Sequence, residues 1–276
     1  ILHAVGDGMK TGINCLVTGG AGFIGSHIVD TLVAEGHQVT VVDNLSTGNL
    51  KQVNREAQFV KCDISTVGLD KVFAEGQFEV VYHLAAQTDV MTSVAEPAED
   101  ARVNIIGGIG LLENCRRYGV RKIVYSSSSA VFGEPDYLPM NEAHPIRPLC
   151  PYAASKHTFE HYLELYKAIH DLDYTVLRYA NAYGPRQDPH HEGGVIAIFA
   201  YKLLTGETPT IYGDGQQTRD FVHVDDLVQA NIRCLYRGNN ACYNLGTGIE
   251  ITINELTSLL CELLGSDSGF EYADER

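Results

Sequence analysis

The stretch Thr18-Gly19-Gly20-Ala21-Gly22-Phe23-Ile24-Gly25-Ser26-His27 carries the reading of this chain. The run before it, Ile13-Asn14-Cys15-Leu16-Val17, is apolar enough for a short buried strand. After it, Phe23 to Glu35 places Ile24, Ile28, Leu32 and Val33 at helical spacing. A strand, a glycine turn and a helix bring backbone N–H groups and a positive helix end to one point, which suits a pyrophosphate. Glycine is needed where the turn is tight and a phosphate must approach the backbone. Gly20, Gly22 and Gly25 fit G-x-G-x-x-G, and Gly19, Gly22 and Gly25 fit the looser G-x-x-G-x-x-G.

A glycine-rich match alone is often an ordinary turn, and the next strand supplies the check. Gln38-Val39-Thr40-Val41-Val42 ends at Asp43, 18 residues beyond Gly25. An acidic residue roughly 20 positions on accepts hydrogen bonds from the adenosine ribose and repels a 2′-phosphate. Alone, Asp43 would read as a solvated strand-end carboxylate. After this turn it points to NAD rather than NADP.

Further outward, strands and helices alternate. Strand-like runs follow at Gln58 to Lys61, Glu79 to His83, Lys122 to Ser126 and Tyr174 to Arg178. A long helix is expected over approximately Ala98 to Tyr118, ended by Gly119, and another over about Tyr152 to His170 after Pro151. This is the α/β pattern of a doubly wound parallel sheet, Rossmann-like, over residues 1–180. From about Asn181 glycines divide shorter elements, so residues 181–276 are expected to form a smaller C-terminal substrate-binding part. Phe221-Val222-His223-Val224 and Cys242-Tyr243-Asn244-Leu245 are strand-like and are expected to return to the main sheet. A last short strand is expected over Phe270 to Tyr272.

With 276 residues the chain can bury a sizeable core. Its net charge of −15 argues against nucleic acid and against anionic membrane surfaces. It leaves room for a small anionic ligand met by local arginines. Seven scattered cysteines without a C-x-x-C pair read as reduced thiols of a cytoplasmic protein. No apolar run is long enough to span a membrane, and no signal-peptide pattern is present. His190-His191-Glu192 lacks a spaced carboxylate or cysteine set and reads as a solvated loop, so no metal is expected. Ile1 to Gly8 shows no period, Met9 reads as the natural initiator, and the first residues are expected to be an extension.

The chemistry begins at Tyr152-Ala153-Ala154-Ser155-Lys156, which sets a phenol and an ammonium at i and i+4 on one helix face. A phenol with a pKa near ~10 is a poor base at neutral pH. An adjacent Lys⁺ and a positively charged nicotinamide ring favour the phenolate. Such a pair is usually an exposed helix face, but at a helix start downstream of a dinucleotide fold it reads as an acid/base. Ser126-Ser127-Ser128-Ser129-Ala130-Val131-Phe132-Gly133 lies at the carboxyl end of a parallel strand, where these sheets bind ligands.

With TGGAGFIGSH, Asp43-Asn44, Cys62-Asp63-Ile64, His83-Leu84-Ala85-Ala86, SSSSAVFG, YAASK, RYANAYGPRQ and GDGQQTRDFVHVDD in place, the chain resembles the nucleotide-sugar 4-epimerases of the extended short-chain dehydrogenase/reductase family. The resemblance covers the chain from Ile13 onward. It implies that Ser128 is the triad hydroxyl, Tyr152 the acid/base, and Lys156 the ribose-binding residue that lowers the phenol's pKa. It implies NAD contacts at Gly19, Gly22, Phe23, Ile24, Gly25, Asp43 and Asn44. Asp63 and Ile64 would lie beside the adenine, the Leu84-Ala85-Ala86 backbone beside pyrophosphate and ribose, and Tyr179 beside the nicotinamide. Asn181, Arg219 and Arg276 would meet the sugar nucleotide, with the residue that sizes the sugar pocket falling after Arg276.

Related dehydratases carry Asp-Glu after the triad hydroxyl, and related decarboxylases a Glu at the second place. This chain has Ser129 and Ala130. The resemblance therefore implies NAD-dependent 4-epimerisation of UDP-glucose and UDP-galactose through a transient 4-keto sugar, by a homodimer. The alternatives are the UDP-N-acetylglucosamine or UDP-glucuronate epimers, or a dinucleotide-sensing protein without catalysis.

Overall fold

Cys15, Leu16 and Val17 are all fully buried, so the first strand is covered on both faces, the condition of a strand inside a parallel sheet. The computed structural model describes residues 12–190, 194–266 and 269–274. Its strands are β1 (Asn14–Thr18), β2 (Gln38–Asp43), β3 (Gln58–Lys61), β4 (Val80–His83), β5 (Lys122–Ser128) and β6 (Asp173–Tyr179). There follow β7 (Asn181–Tyr183), β8 (Thr210–Tyr212), β9 (Thr218–Arg219), β10 (Phe221–His223), β11 (Ala241–Leu245), β12 (Ile251–Thr252) and β13 (Glu271–Ala273). The α-helices are α1 (Phe23–Ala34), α2 (Gly68–Gly76), α3 (Val90–Ala95), α4 (Pro97–Ala101), α5 (Gly108–Arg117), α6 (Pro151–His170), α7 (Val195–Thr205), α8 (Val224–Cys234) and α9 (Ile253–Leu264).

Seven strands make one sheet in the order β3-β2-β1-β4-β5-β6-β11, parallel at every pair. Side chains alternate between its faces. Cys15, Val17, Val41 and Tyr82 pack in one core with Ile28 and Leu32 of α1 and Leu227 of α8. Leu16, Val42, Val81 and Ile123 pack in the other with Leu111 of α5 and Phe159 and Leu163 of α6. The winding reverses between β1 and β4. The chain leaves these neighbours in opposite directions, which opens a crevice at their carboxyl ends.

Two expectations change. Of the two late strands, only β11 joins the main sheet, beside β6. Phe221–His223 pairs instead with β7, Phe221 opposite Asn181. The chain turns away from the sheet at Ala180, and its β7 segment supplies β10 with a partner, while Val222 still buries in the main core. The helix expected over 98–118 is interrupted. Between α4 and α5, Arg102–Gly107 forms a wider π turn, which shifts the register of the side chains around Asn104. Gly119 follows α5 with φ +71. Beyond β7, Phe199, Ile211, Ile253 and Leu256 build a separate small core. The short strands there pair β8 with β13 and β9 with β12.

Candidate active site

The glycine turn is built by steric necessity. Gly19 has φ +72, and a Cβ on it would stand 2.6 Å from the Ala85 nitrogen. A Cβ on Gly25 would stand 2.2 Å from the Gly19 carbonyl oxygen. These contacts let β1, the turn and the segment after β4 converge around the start of α1, whose first N–H groups are not all used within the helix.

A cleft of about 980 Å³ opens there along the carboxyl edge of the sheet. At one end its wall contains Gly19, Gly22, Phe23, Ile24 and Gly25, then Asp43, Asn44, Asp63 and Ile64. Leu84, Ala85 and Ala86 follow, and Ser128, Tyr152, Lys156, Tyr179 and Asn181 line the other end. Arg219 is not in this wall. It sits on β9, exposed, and donates from Nη1 to the Thr218 carbonyl at 2.7 Å. Arg276, His191, Glu192 and the first residues through Met9 lie outside the described residues.

The cradle itself fits NAD. The places where a Cβ would intrude are the bare-backbone positions a pyrophosphate needs, and the helix start supplies donors. Asp43 stands at the end of β2, with Oδ2 accepting from the Ala21 N–H at 3.0 Å and Oδ1 from the Leu45 N–H at 2.8 Å. Next to it, Asn44 Nδ2 donates to Asp63 Oδ2 at 3.2 Å. Burial raises the Asp63 pKa, but hydrogen bonds from Ser65 and Asn44 and the nearby Arg102 charge outweigh it and hold the carboxyl below its usual value. The residues fit the dinucleotide.

At the other end, Lys156 is buried within α6, and its Nζ donates to the Ser126 carbonyl at 2.8 Å. The ammonium lies 5.9 Å from the centre of the Tyr152 ring and 5.1 Å from that of Tyr125. Burial pushes its pKa down to about 8, against the pull of the Asp100 and Glu160 carboxylates. Ser128 ends β5 and caps the short turn Ser129–Phe132, its Oγ accepting from the Ala130 N–H at 3.2 Å. Tyr179 is buried and receives a hydrogen bond from Asn231 Nδ2 at 2.6 Å. His83, beside Thr18 Oγ1 at 2.9 Å, is driven to about pH 3 by burial and by the Lys156 charge, so it is neutral at physiological pH. The π turn points Asn104 inward. Its Nδ2 faces Gln87 O, Asp100 Oδ1 and Ser155 Oγ at 3.0–3.1 Å, and its Oδ1 accepts from the Gln87 N–H at 2.8 Å.

Sequence reasoning passed over part of the wall. Arg102 lines the cleft, donating to Ser65 Oγ and pairing with Glu99. Arg186 and Gln187 line it from the loop after β7. That loop is fastened to α1 at two points: Arg186 Nη2 donates to Asp30 Oδ2 at 2.6 Å, and the His27 ring nitrogen lies 2.9 Å from the Pro185 carbonyl. RYANAYGPRQ contained the signal for Arg186. Nothing local marked Arg102, which reaches the cleft only through the packing of its helix. Among the described residues, no group of three or more His, Cys, Asp or Glu is placed to hold a metal ion.

Known proteins are similar to this chain in sequence and fold. The profile of the NAD dependent epimerase/dehydratase family matches residues 15–246. A UDP-glucose 4-epimerase of Mycolicibacterium smegmatis is 44% identical over 268 residues, 95% of this chain and 86% of the relative. The structure of UDP-glucose 4-epimerase with UDP-glucose from Thermotoga maritima is similar with TM-score 0.94 and 46% identity, covering 96% of this chain and 86% of that one. UDP-N-acetylglucosamine 4-epimerase from Methanobrevibacter ruminantium M1, in complex with UDP-N-acetylmuramic acid, is similar with TM-score 0.92 and 40% identity, covering 97% and 87%.

Proposed function

The chain belongs to the NAD-dependent epimerase/dehydratase family, and on that premise we propose that it interconverts UDP-glucose and UDP-galactose by inverting carbon 4 of the sugar. The observation that carries the reading is that Ser128, Tyr152 and Lys156 line one cleft with the glycine cradle, while Ala130 stands where a dehydratase needs a carboxylic acid.

Bound in the cleft, NAD supplies the hydride acceptor and donor for carbon 4. Tyr152 takes the proton of the C4 hydroxyl and later returns it. Lys156, held charged beside the ring, favours the phenolate and offers donors to a ribose. The Ser128 hydroxyl donates to the C4 oxygen as charge develops there. Asp43 accepts from the adenosine ribose, Asn44, Asp63 and Ile64 border the adenine, and Asn181 approaches the sugar nucleotide. Arg219 would reach a ligand only from outside the cleft wall described above. With neither Ser129 nor Ala130 ionisable, elimination of water from the sugar has no acid or base at that place.

Residues 12–180 together with β11 form the dinucleotide-binding part in this reading, and the elements around α7 and α9 the substrate-facing part. The protein is a homodimer, supported by exposed Val90, Met91 and Val94 on α3 and Leu165 and Ile169 on α6. All seven cysteines are free, which supports a reducing, cytoplasmic setting. No helix of the described residues is long and apolar enough to cross a membrane. The test is to incubate purified protein with UDP-glucose and resolve the products. UDP-galactose of unchanged mass is expected, and a main product lighter by one water would remove the assignment. The similarity to a UDP-N-acetylglucosamine 4-epimerase favours assaying that sugar in parallel.

A further inference from the structure

Behind the cleft, one buried carboxylate joins the three chain segments that carry the proposed chemistry. Glu160 is only 5% exposed and is absent from the cleft wall. On α6 it follows Tyr152 and Lys156 at successive steps of four, so the three side chains form one stripe. Its Oε1 accepts from Ser127 Oγ at 2.6 Å and from Arg178 Nε at 3.0 Å. Its Oε2 accepts from Arg178 Nη2 at 2.6 Å and faces His157 Nδ1 at 3.0 Å.

Each partner sits next to a residue of the site. Ser127 precedes Ser128 on β5, Arg178 precedes Tyr179 on β6, and His157 follows Lys156. The Arg178 guanidinium also lies 5.1 Å over the Phe132 ring, in the turn that Ser128 caps. Taking a carboxylate and a guanidinium out of water is costly, and apolar side chains of similar volume commonly stabilise a fold as well. What four directed bonds provide beyond apolar packing is orientation.

We propose that Glu160 is the positioning residue of this site: it sets the register of α6 against β5 and β6, and so fixes Tyr152 relative to Ser128. It acts through Ser127 and Arg178 and touches neither substrate nor cofactor. The inference rests on the epimerase reading of Tyr152 and Ser128.

The test compares NAD-loaded full-length protein with Ser127→Ala, Glu160→Gln and the double variant Glu160→Gln/Arg178→Met. The double variant removes both buried charges together, so no unpaired ion is left to unfold the chain. Ser127→Ala removes a single bond and covers the case in which the others fail to fold. The expected result is that folded variants keep NAD and a near-normal KM for UDP-glucose, while kcat falls. A misplacement of about 1 Å costs on the order of 10²-fold, so losses of roughly 10- to 100-fold are expected. The double variant should be as slow as Glu160→Gln. Recovery of kcat in the double variant would make the effect one of charge on Lys156 and overturn the proposal. Folded variants with wild-type kcat would overturn it too. Crystal structures of Ser127→Ala and the double variant should show Tyr152 displaced from Ser128, and unmoved side chains would count against positioning. If the wild-type chain does not interconvert UDP-glucose and UDP-galactose, the functional reading fails, and the crystallographic comparison still decides the positioning claim.

Discussion

Lys156 is nearly enclosed by protein, and two carboxylates, Asp100 and Glu160, help it stay protonated, as its proposed role beside Tyr152 requires. Its folded pKa of about 8 lies below the usual lysine value, so the ammonium is intact below that pH and lost as pH rises through it. A pH profile of kcat should therefore rise as Tyr152 ionises and fall again above about 8. Lys156→Ala should move the acid limb to higher pH and weaken NAD binding, since one side chain serves both. Tyr152→Phe should lower kcat by ~10²- to 10⁴-fold with much less effect on KM, because the lost interaction matters mainly in the transition state. Near-normal turnover of that variant would remove Tyr152 from the chemistry. Asp43 was legible by its distance from Gly25, but its two bonds to the Ala21 and Leu45 N–H groups were not, because residue type does not reveal which lone pairs are taken. Asp43→Ser should relax the preference for NAD over NADP in titrations with each. It should also cost about 1–3 kcal/mol of stability, since the buried Ala21 N–H loses its acceptor.

Elements were legible where their pattern was local. The β1 run, the glycine turn and α1 follow from consecutive residues, and so does α6 with Pro151 at its start. The turn also tolerates little change. Gly25→Ala would press a methyl onto the Gly19 carbonyl, and overpacking of this kind costs roughly 1–3 kcal/mol. We expect a lower melting temperature and protein purified without NAD, read from its absorbance after denaturation. What local pattern could not give was pairing. Phe221–His223 and Ala241–Leu245 are both short and apolar, and only the course of the chain decides that one joins β7 and the other β6. The π turn at Arg102–Gly107 was hidden for a similar reason. Its residues suit an ordinary helix, and the wider turn gains from Asn104 contacts to Gln87 and Ser155, distant in sequence.

For the whole molecule, the apolar side chains left exposed on α3 and α6 set the expectation of association. A stable interface hides roughly 800 Å² on each partner. Placing Glu at both Leu165 and Ile169, which are 51% and 67% exposed, should convert dimer to monomer in sedimentation velocity while leaving the far-UV spectrum unchanged. A wild-type chain that sediments as a monomer would refute the dimer directly. The −15 net charge is readable at once, and RYANAYGPRQ held the signal for Arg186, whereas Arg102, another basic position of the cleft, emerges only from the fold.

The order of the sheet also bears on how the chain is made. β6 is complete at Tyr179, but its outer neighbour β11 does not begin until Ala241, after the whole of α7 and α8. Ribosomes add about 5–20 residues per second, so for several seconds of synthesis the nascent sheet ends in a bare β6. Such an edge presents unpaired N–H and C=O groups to any strand nearby. Chains released before Ala241 keep that edge for good. Early termination in this region should therefore give aggregates, whereas chains terminated just beyond Leu245 should have β6 covered by β11 and aggregate less.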